Sequence, residues 1–137
     1  MAAKLKSYVL DACGLIAFLR GEEGGQRLAG EFQSGNSFYL HSVTLGEVYY
    51  DSIRVGGIQY ADELVEDVLK LPLDVVWSID MSLIKLVGEF KSTFRISYAD
   101  AFVLALASEK EASVITTDHH EFDPVEAAGA LQFFWLR

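Results

Sequence analysis

The stretch "ISYADAFVLALASEKEASVITTD" (Ile96–Asp118) contains a helix, a strand and the joint between them. Val103, Leu104 and Ala107 follow Asp100 at three, four and seven residues, so all four share one helical face. That face is apolar and should be buried. Asp100 is therefore out of place, because an unpaired carboxylate loses its hydration there. "SVITTD" (Ser113–Asp118) then switches to a short β-branched run ending on a second acid.

The same alternation runs through the chain. "SYVLD" (Ser7–Asp11) reads as strand 1 and also ends on a carboxylate. "ACGLIAFLRG" has helical spacing through Leu15, Phe18 and Leu19, with Gly21 as its stop. Glu23 to Phe32 forms a second helical stretch, closed by the turn signal "SGN". "SFYLH" (Ser37–His41) is strand 2. "TLGEVYYDSIRVGG" is a helix terminated by Gly56 and Gly57. "YADELVEDVLKLP" is amphipathic and stops before Pro72. "LDVVWSI" is strand 3, "MSLIKLVGEFKSTF" another helix and "LQFFWL" strand 5. Strands alternating with one or two helices predict an α/β fold: a parallel sheet of about five strands with helices on both faces. No repeat, low-complexity segment or linker interrupts residues 1–137, which read as one domain.

Composition narrows the function. Hydrophobic residues make up 51% and charged residues 23%, a globular balance. No apolar run approaches the ~20 residues that span a bilayer. The apolar part of "MAAKLKSYVLDACGLIAFL" contains Asp11 and no cleavage signal, so it reads as strand and helix rather than a signal peptide. Cys13 is the only cysteine, which rules out an internal disulfide and fits a reducing cytoplasm. The net charge is -9, with 20 Asp and Glu against 11 Lys and Arg. Wide electrostatic binding of nucleic acid needs the opposite sign. Either the partner is not nucleic acid, or carboxylates converge at one place and bind cations there.

The positions of the acids favour convergence. Sites in open α/β sheets lie at the carboxyl ends of the strands. Asp11 and Asp118 end strands 1 and 4, Glu47 opens the helix after strand 2, and Asp100 opens the helix leading into strand 4. Four acids on four segments can thus meet at one rim. Like charges raise one another's pKa, and hard divalent cations with oxygen ligands relieve this. Each acid also has a local role available. Asp100 closes an S-x-x-D box from Ser97, and Glu47 a T-x-x-E box from Thr44. Asp11 can cap the helix beginning at Ala12, and Asp118 can be a turn residue. Capping alone does not require two strand-end aspartates at one rim.

"YVLDACGLIAFL", "TLGEVYY", "ISYADAFVLALA" and "VITTDHHEFD" resemble, in order and spacing, the motifs of PIN-domain proteins. The closest likeness is to the VapC-type ribonuclease toxins of prokaryotic toxin–antitoxin pairs. The resemblance covers nearly the whole chain and implies a PIN-like α/β/α sandwich. It places the family's acids on Asp11, Glu47, Asp100 and Asp118, and its small hydroxyl residue on Thr116 or Thr117. Family members often carry Ser or Thr just after the first acid, where this chain has Ala12 and Cys13. The implied activity is Mg²⁺- or Mn²⁺-dependent cleavage of RNA. Asp11 and Asp100 would be the principal metal ligands, with Asp118 direct or through water. Glu47 would be a ligand or orient the attacking water. The resemblance also implies a homodimer and a separate antitoxin that covers the site.

Other residues are candidates for smaller roles. Asp123 could reach the acids as an accessory ligand. Lys91 and Arg95 precede the Asp100 helix and could meet RNA phosphate, or could simply be a solvated helix end. His119 and His120 are adjacent and share no face, and His41 is the only other histidine, so a zinc site is disfavoured. They read as part of a solvated loop after strand 4. Cys13 reads as a small core residue, and helical spacing places Tyr49, Tyr50 and Ile53 in the core rather than at an interface. A receiver-like phosphoacceptor domain needs paired acids after strand 1 and a late lysine. This chain has Asp11 alone and no lysine after Lys110. "DAC" likewise fails the Asp-x-Asp of haloacid-dehalogenase phosphatases. The remaining alternative is a PIN-like domain without catalysis that only binds RNA or protein.

Overall fold

The computed structural model describes residues 4–137; Met1 to Ala3, the start of the N-terminal stretch read above, lie outside the described residues. In chain order the elements are β1 (Ser7–Leu10), α1 (Ala12–Leu19), α2 (Gly25–Glu31), β2 (Ser37–His41), α3 (Ser42–Leu69), β3 (Asp74–Val76), α4 (Met81–Thr93), α5 (Tyr98–Lys110), β4 (Ser113–Thr116), α6 (His119–Ala127) and β5 (Phe133–Trp135). The strands form one parallel sheet in the order β3-β2-β1-β4-β5. The chain works outward from β1 to β3, then returns to β1's other side. That reversal opens a crevice at the carboxyl ends of β1 and β4.

Strand residues alternate between two apolar layers, as a doubly covered sheet requires. Val9 and Val114 face Leu83 and Val87 of α4, the apolar side of α5, and Phe122 and Val125 of α6. Tyr8, Leu10, Phe38, Leu40 and Ile115 face Leu15, Leu28, Val48, Leu64 and Val68 from α1, α2 and α3. Burying α5 between Ala101 and Ala107 fixes which way its first turn points.

Several local expectations need correction. Helix α3 starts at Ser42, before the expected Thr44. Its cap is the buried His41 imidazole, whose Nδ1 accepts from Val43 N–H at 3.0 Å. Thr44 lies inside the first turn with its hydroxyl buried and unpartnered among the described residues. The glycine break is real: Gly57 takes φ 89°, ψ 176°, and divides α3 into two limbs. Tyr49 Oη donates to Asp62 across that break at 2.7 Å. Tyr50, expected in the core, is 66% exposed. Strands β3 and β5 are shorter than read because each is an edge strand with one neighbour. The segment after β4 is helix α6, not a loop, and Asp118 caps it by accepting from Glu121 N–H at 3.1 Å.

Candidate active site

Asp11 follows β1 and caps α1. Its Oδ1 accepts from Gly14 N–H at 2.7 Å, and its Oδ2 accepts from the Thr116 hydroxyl at 2.5 Å. The same hydroxyl accepts from Asp118 N–H at 2.9 Å, which turns the chain out of β4. Thr116, rather than Thr117, is thus the hydroxyl serving the first acid. Gly14 has to be small: a Cβ there would lie 3.0 Å from Asp11 Oδ1 and 3.0 Å from the Ile115 carbonyl. Asp11 is only 1% exposed. Burial pushes its pKa up to about 8, against the hydrogen bonds from Thr116 and Gly14, and the charges of Asp100 and Asp118 push the same way.

Asp100 arrives on the first turn of α5. Ser97 Oγ accepts from Asp100 N–H at 3.0 Å, so the expected cap exists. The cap uses Asp100's backbone N–H, and the Ser97 hydroxyl also favours the ionised carboxylate, which turns toward the other acids. Burial, then the charge of Glu47, push its pKa up to about 7, with Glu121 and Asp118 adding to the shift. Glu47, in the second turn of α3, is likewise raised, first by burial and then by Asp51, Asp118 and Glu121. The four expected acids therefore interact as one cluster at the carboxyl rim.

The cluster has a fifth member that the sequence reading missed. Glu121, in the first turn of α6, has Oε2 buried and without a hydrogen-bond partner among the described residues, as does Glu47 Oε1. The signal was its D-x-x-E spacing from Asp118, a helix-start pattern concealed by reading the segment as a loop. Asp123 does not join the cluster; its Oδ1 pairs with His119 Nδ1 at 2.8 Å. Lys91 is also engaged, its Nζ donating to the Ile96 carbonyl at 2.7 Å, whereas Arg95 is exposed. Arg20 is bound to Asp51 at 2.9 Å. Cys13 is exposed rather than in the core. Enough protein surrounds its thiol that desolvation, with the charges of Asp11, Asp118, Asp100 and Glu47, pushes its pKa up to about 12. A thiol held protonated is a poor nucleophile.

Among the described residues, no three His, Cys, Asp or Glu side chains stand close enough to enclose an ion by themselves. The donor chemistry nonetheless fits a hard divalent cation. All the converging groups are carboxylates, two of their oxygens are buried without partners, and two of the acids hold protons into the neutral range. An ion that keeps several waters, as Mg²⁺ does, needs only a few protein oxygens. Among the described residues, no helix is long and apolar enough to cross a membrane.

No curated protein matches the chain. Solved structures do. DNA-bound VapBC from Salmonella typhimurium aligns at TM-score 0.75 and 17% identity, covering 98% of this chain and 100% of the other. VapC20 from Mycobacterium tuberculosis, a sarcin–ricin loop cleaving toxin, aligns at TM-score 0.68 and 19% identity, covering 89% and 95%. A toxin–antitoxin complex from Klebsiella pneumoniae aligns at TM-score 0.64 and 15% identity, covering 84% and 89%. At such identities the likeness concerns the fold. The PIN domain family model matches residues 8–127, nearly all of the sheet and the segments that bring the five acids to its rim, and the chain belongs to the PIN-domain family.

Proposed function

We propose that the protein is a divalent-metal-dependent endoribonuclease and the toxin of a toxin–antitoxin pair. PIN domains are typically metal-dependent nucleases. The observation that carries the reading here is the uncompensated rim: five acids converge, Glu47 Oε1 and Glu121 Oε2 are buried without partners, and none of the five forms an ion pair among the described residues. Asp11, Asp100 and Asp118 would hold Mg²⁺ or Mn²⁺. When bound, such an ion neutralises phosphodiester charge and provides Lewis acidity for hydrolysis. Thr116 fixes the rotamer of Asp11, and Ser97 fixes the turn that carries Asp100. Glu47 keeps an unpaired oxygen with which to orient a water and accept its proton. Glu121 supports the same cluster.

The protein would act in the cytoplasm as a homodimer, its site covered by a cognate antitoxin when idle. The relatives named above as VapBC and toxin–antitoxin complexes support that assignment. The test is a mixed RNA pool incubated with purified protein in Mg²⁺, in Mn²⁺ and in chelator, beside Asp100→Asn. Metal-dependent cleavage by the wild type and silence in the variant are expected. A wild type that cuts no RNA under any metal condition would transfer the weight to a non-catalytic binding module.

A further inference from the structure

The segment joining α4 to α5 is built as a platform. Lys91 Nζ donates to the Ile96 carbonyl at 2.7 Å, Ile96 N–H donates to the Phe94 carbonyl at 3.1 Å, and the Ile96 side chain is buried. Ser97 then caps α5. This pinned segment presents two side chains outward, three residues apart. Arg95 is exposed, with no ion pair among the described residues. Tyr98 is 58% exposed. The Tyr98 ring is held edge-to-face by Phe102, centroids 5.3 Å apart at 81°, and Phe102 in turn packs on His41 at 5.0 Å. In either sense of an edge-to-face contact, at least one face of Tyr98 stays free. Asp100 lies two residues further along the same first turn, on the other side of the helix axis, so ring and carboxylate flank the start of α5.

We infer that Tyr98, with Arg95, forms a subsite for an unpaired nucleotide beside the scissile phosphodiester of RNA, an inference that rests on the nuclease reading above. Unpaired bases stack on exposed aromatic rings, and a guanidinium beside the ring holds the adjoining phosphate. An acid-lined rim repels a polyanion, so a strand approaching it needs an anchoring cation close by. Arg95 is free for that, whereas Lys91 is occupied in bracing the segment. A base held in a duplex cannot stack on Tyr98, so the subsite selects single-stranded or looped RNA.

The experiment uses the full chain in chelator at low salt, with a short single-stranded RNA carrying 2-aminopurine and the matching duplex. Wild type should quench the fluorophore in the single strand. Tyr98→Phe and Tyr98→Trp should retain the quench. Tyr98→Ala should lose it and bind roughly 10- to 100-fold more weakly, with unchanged binding of the duplex. Arg95→Gln should weaken binding and flatten its salt dependence by about 0.7 log units per log unit of salt. Equal quenching by wild type and Tyr98→Ala overturns the subsite, as does absence of quenching by the wild type. A change in sedimentation of Tyr98→Ala also overturns it, by assigning the ring to a contact between copies. Cleavage in Mg²⁺ is scored separately. Quenching without cleavage leaves the subsite standing and removes the nuclease, and cleavage without Tyr98-dependent quenching does the reverse.

Discussion

Raising the pH from 5 to 8 in chelator should destabilise the metal-free protein, and Mg²⁺ should oppose that loss. Unfolded carboxylates titrate near pH ~4, whereas Asp11 and Asp100 in the folded chain titrate at about 8 and about 7. Between these values the native state holds protons that the unfolded state has released, so stability falls as pH rises. Each such proton is worth roughly 1.4 kcal/mol per pH unit until the folded pKa is reached. Over this window the two acids together contribute a loss of about 3 to 6 kcal/mol. For a domain of this size that lowers the melting temperature by roughly 10 °C or more. His119, raised by the Arg137 carbonyl and then Asp123, pulls in the same direction. His41, lowered by burial, acts oppositely as pH falls through the ordinary histidine range. Asp11→Asn separates these contributions, because it leaves both histidines in place and should remove the larger share of the slope. The assay is calorimetric melting across the pH range, with chelator and with Mg²⁺. A melting temperature that is flat or rises from pH 5 to 8 in chelator, or a slope unchanged in Asp11→Asn, refutes the reasoning.

Three further substitutions probe the frame of the site. Thr116→Val keeps the shape but leaves Asp11 Oδ2 and Asp118 N–H unpartnered. It should cost about 1–3 kcal/mol in melting experiments and weaken apparent Mg²⁺ affinity in a titration of cleavage by on the order of 10-fold or more. Gly14→Ala places a Cβ against Asp11 Oδ1 and the Ile115 carbonyl, neither able to yield easily. Denaturant unfolding should show a loss of about 1–3 kcal/mol, together with reduced cleavage. His41→Ala removes a fully buried ring, the cap of α3 and a 3.2 Å contact to the Ser78 carbonyl. Denaturant unfolding should report a loss of about 3 kcal/mol or more.

Periodicity was enough to read the sheet and the four strand- and helix-end acids, because buried parallel strands and apolar helix faces leave strong patterns. Boundaries set by one tertiary contact were not readable. The start of α3 depends on an imidazole acting as cap, and histidine is not a usual cap residue, so Thr44 looked better. Glu121 was missed because Asp118 looked like a turn and the pair of histidines after it like a loop. The helix there is stabilised by a cap and by Phe122 and Val125 entering the core. His119 is further held by stacking on Trp135, centroids 3.8 Å apart, a contact between segments that local pattern does not report. Cys13 and Tyr50 show the remaining weakness of periodicity. It identifies an apolar face but does not say whether another element covers it.

The bond from Thr116 to Asp11 joins residues 105 apart in the chain. The first acid is therefore held in its working rotamer only after β4 has docked beside β1. During synthesis, every nascent chain too short to include β4 lacks that contact, and with it Asp118 and Glu121. Whatever reaction the rim supports is withheld until the sheet is nearly complete, so partial translation products are silent by construction. Ion binding at the rim would in turn report on the integrity of the whole sheet rather than on any local segment.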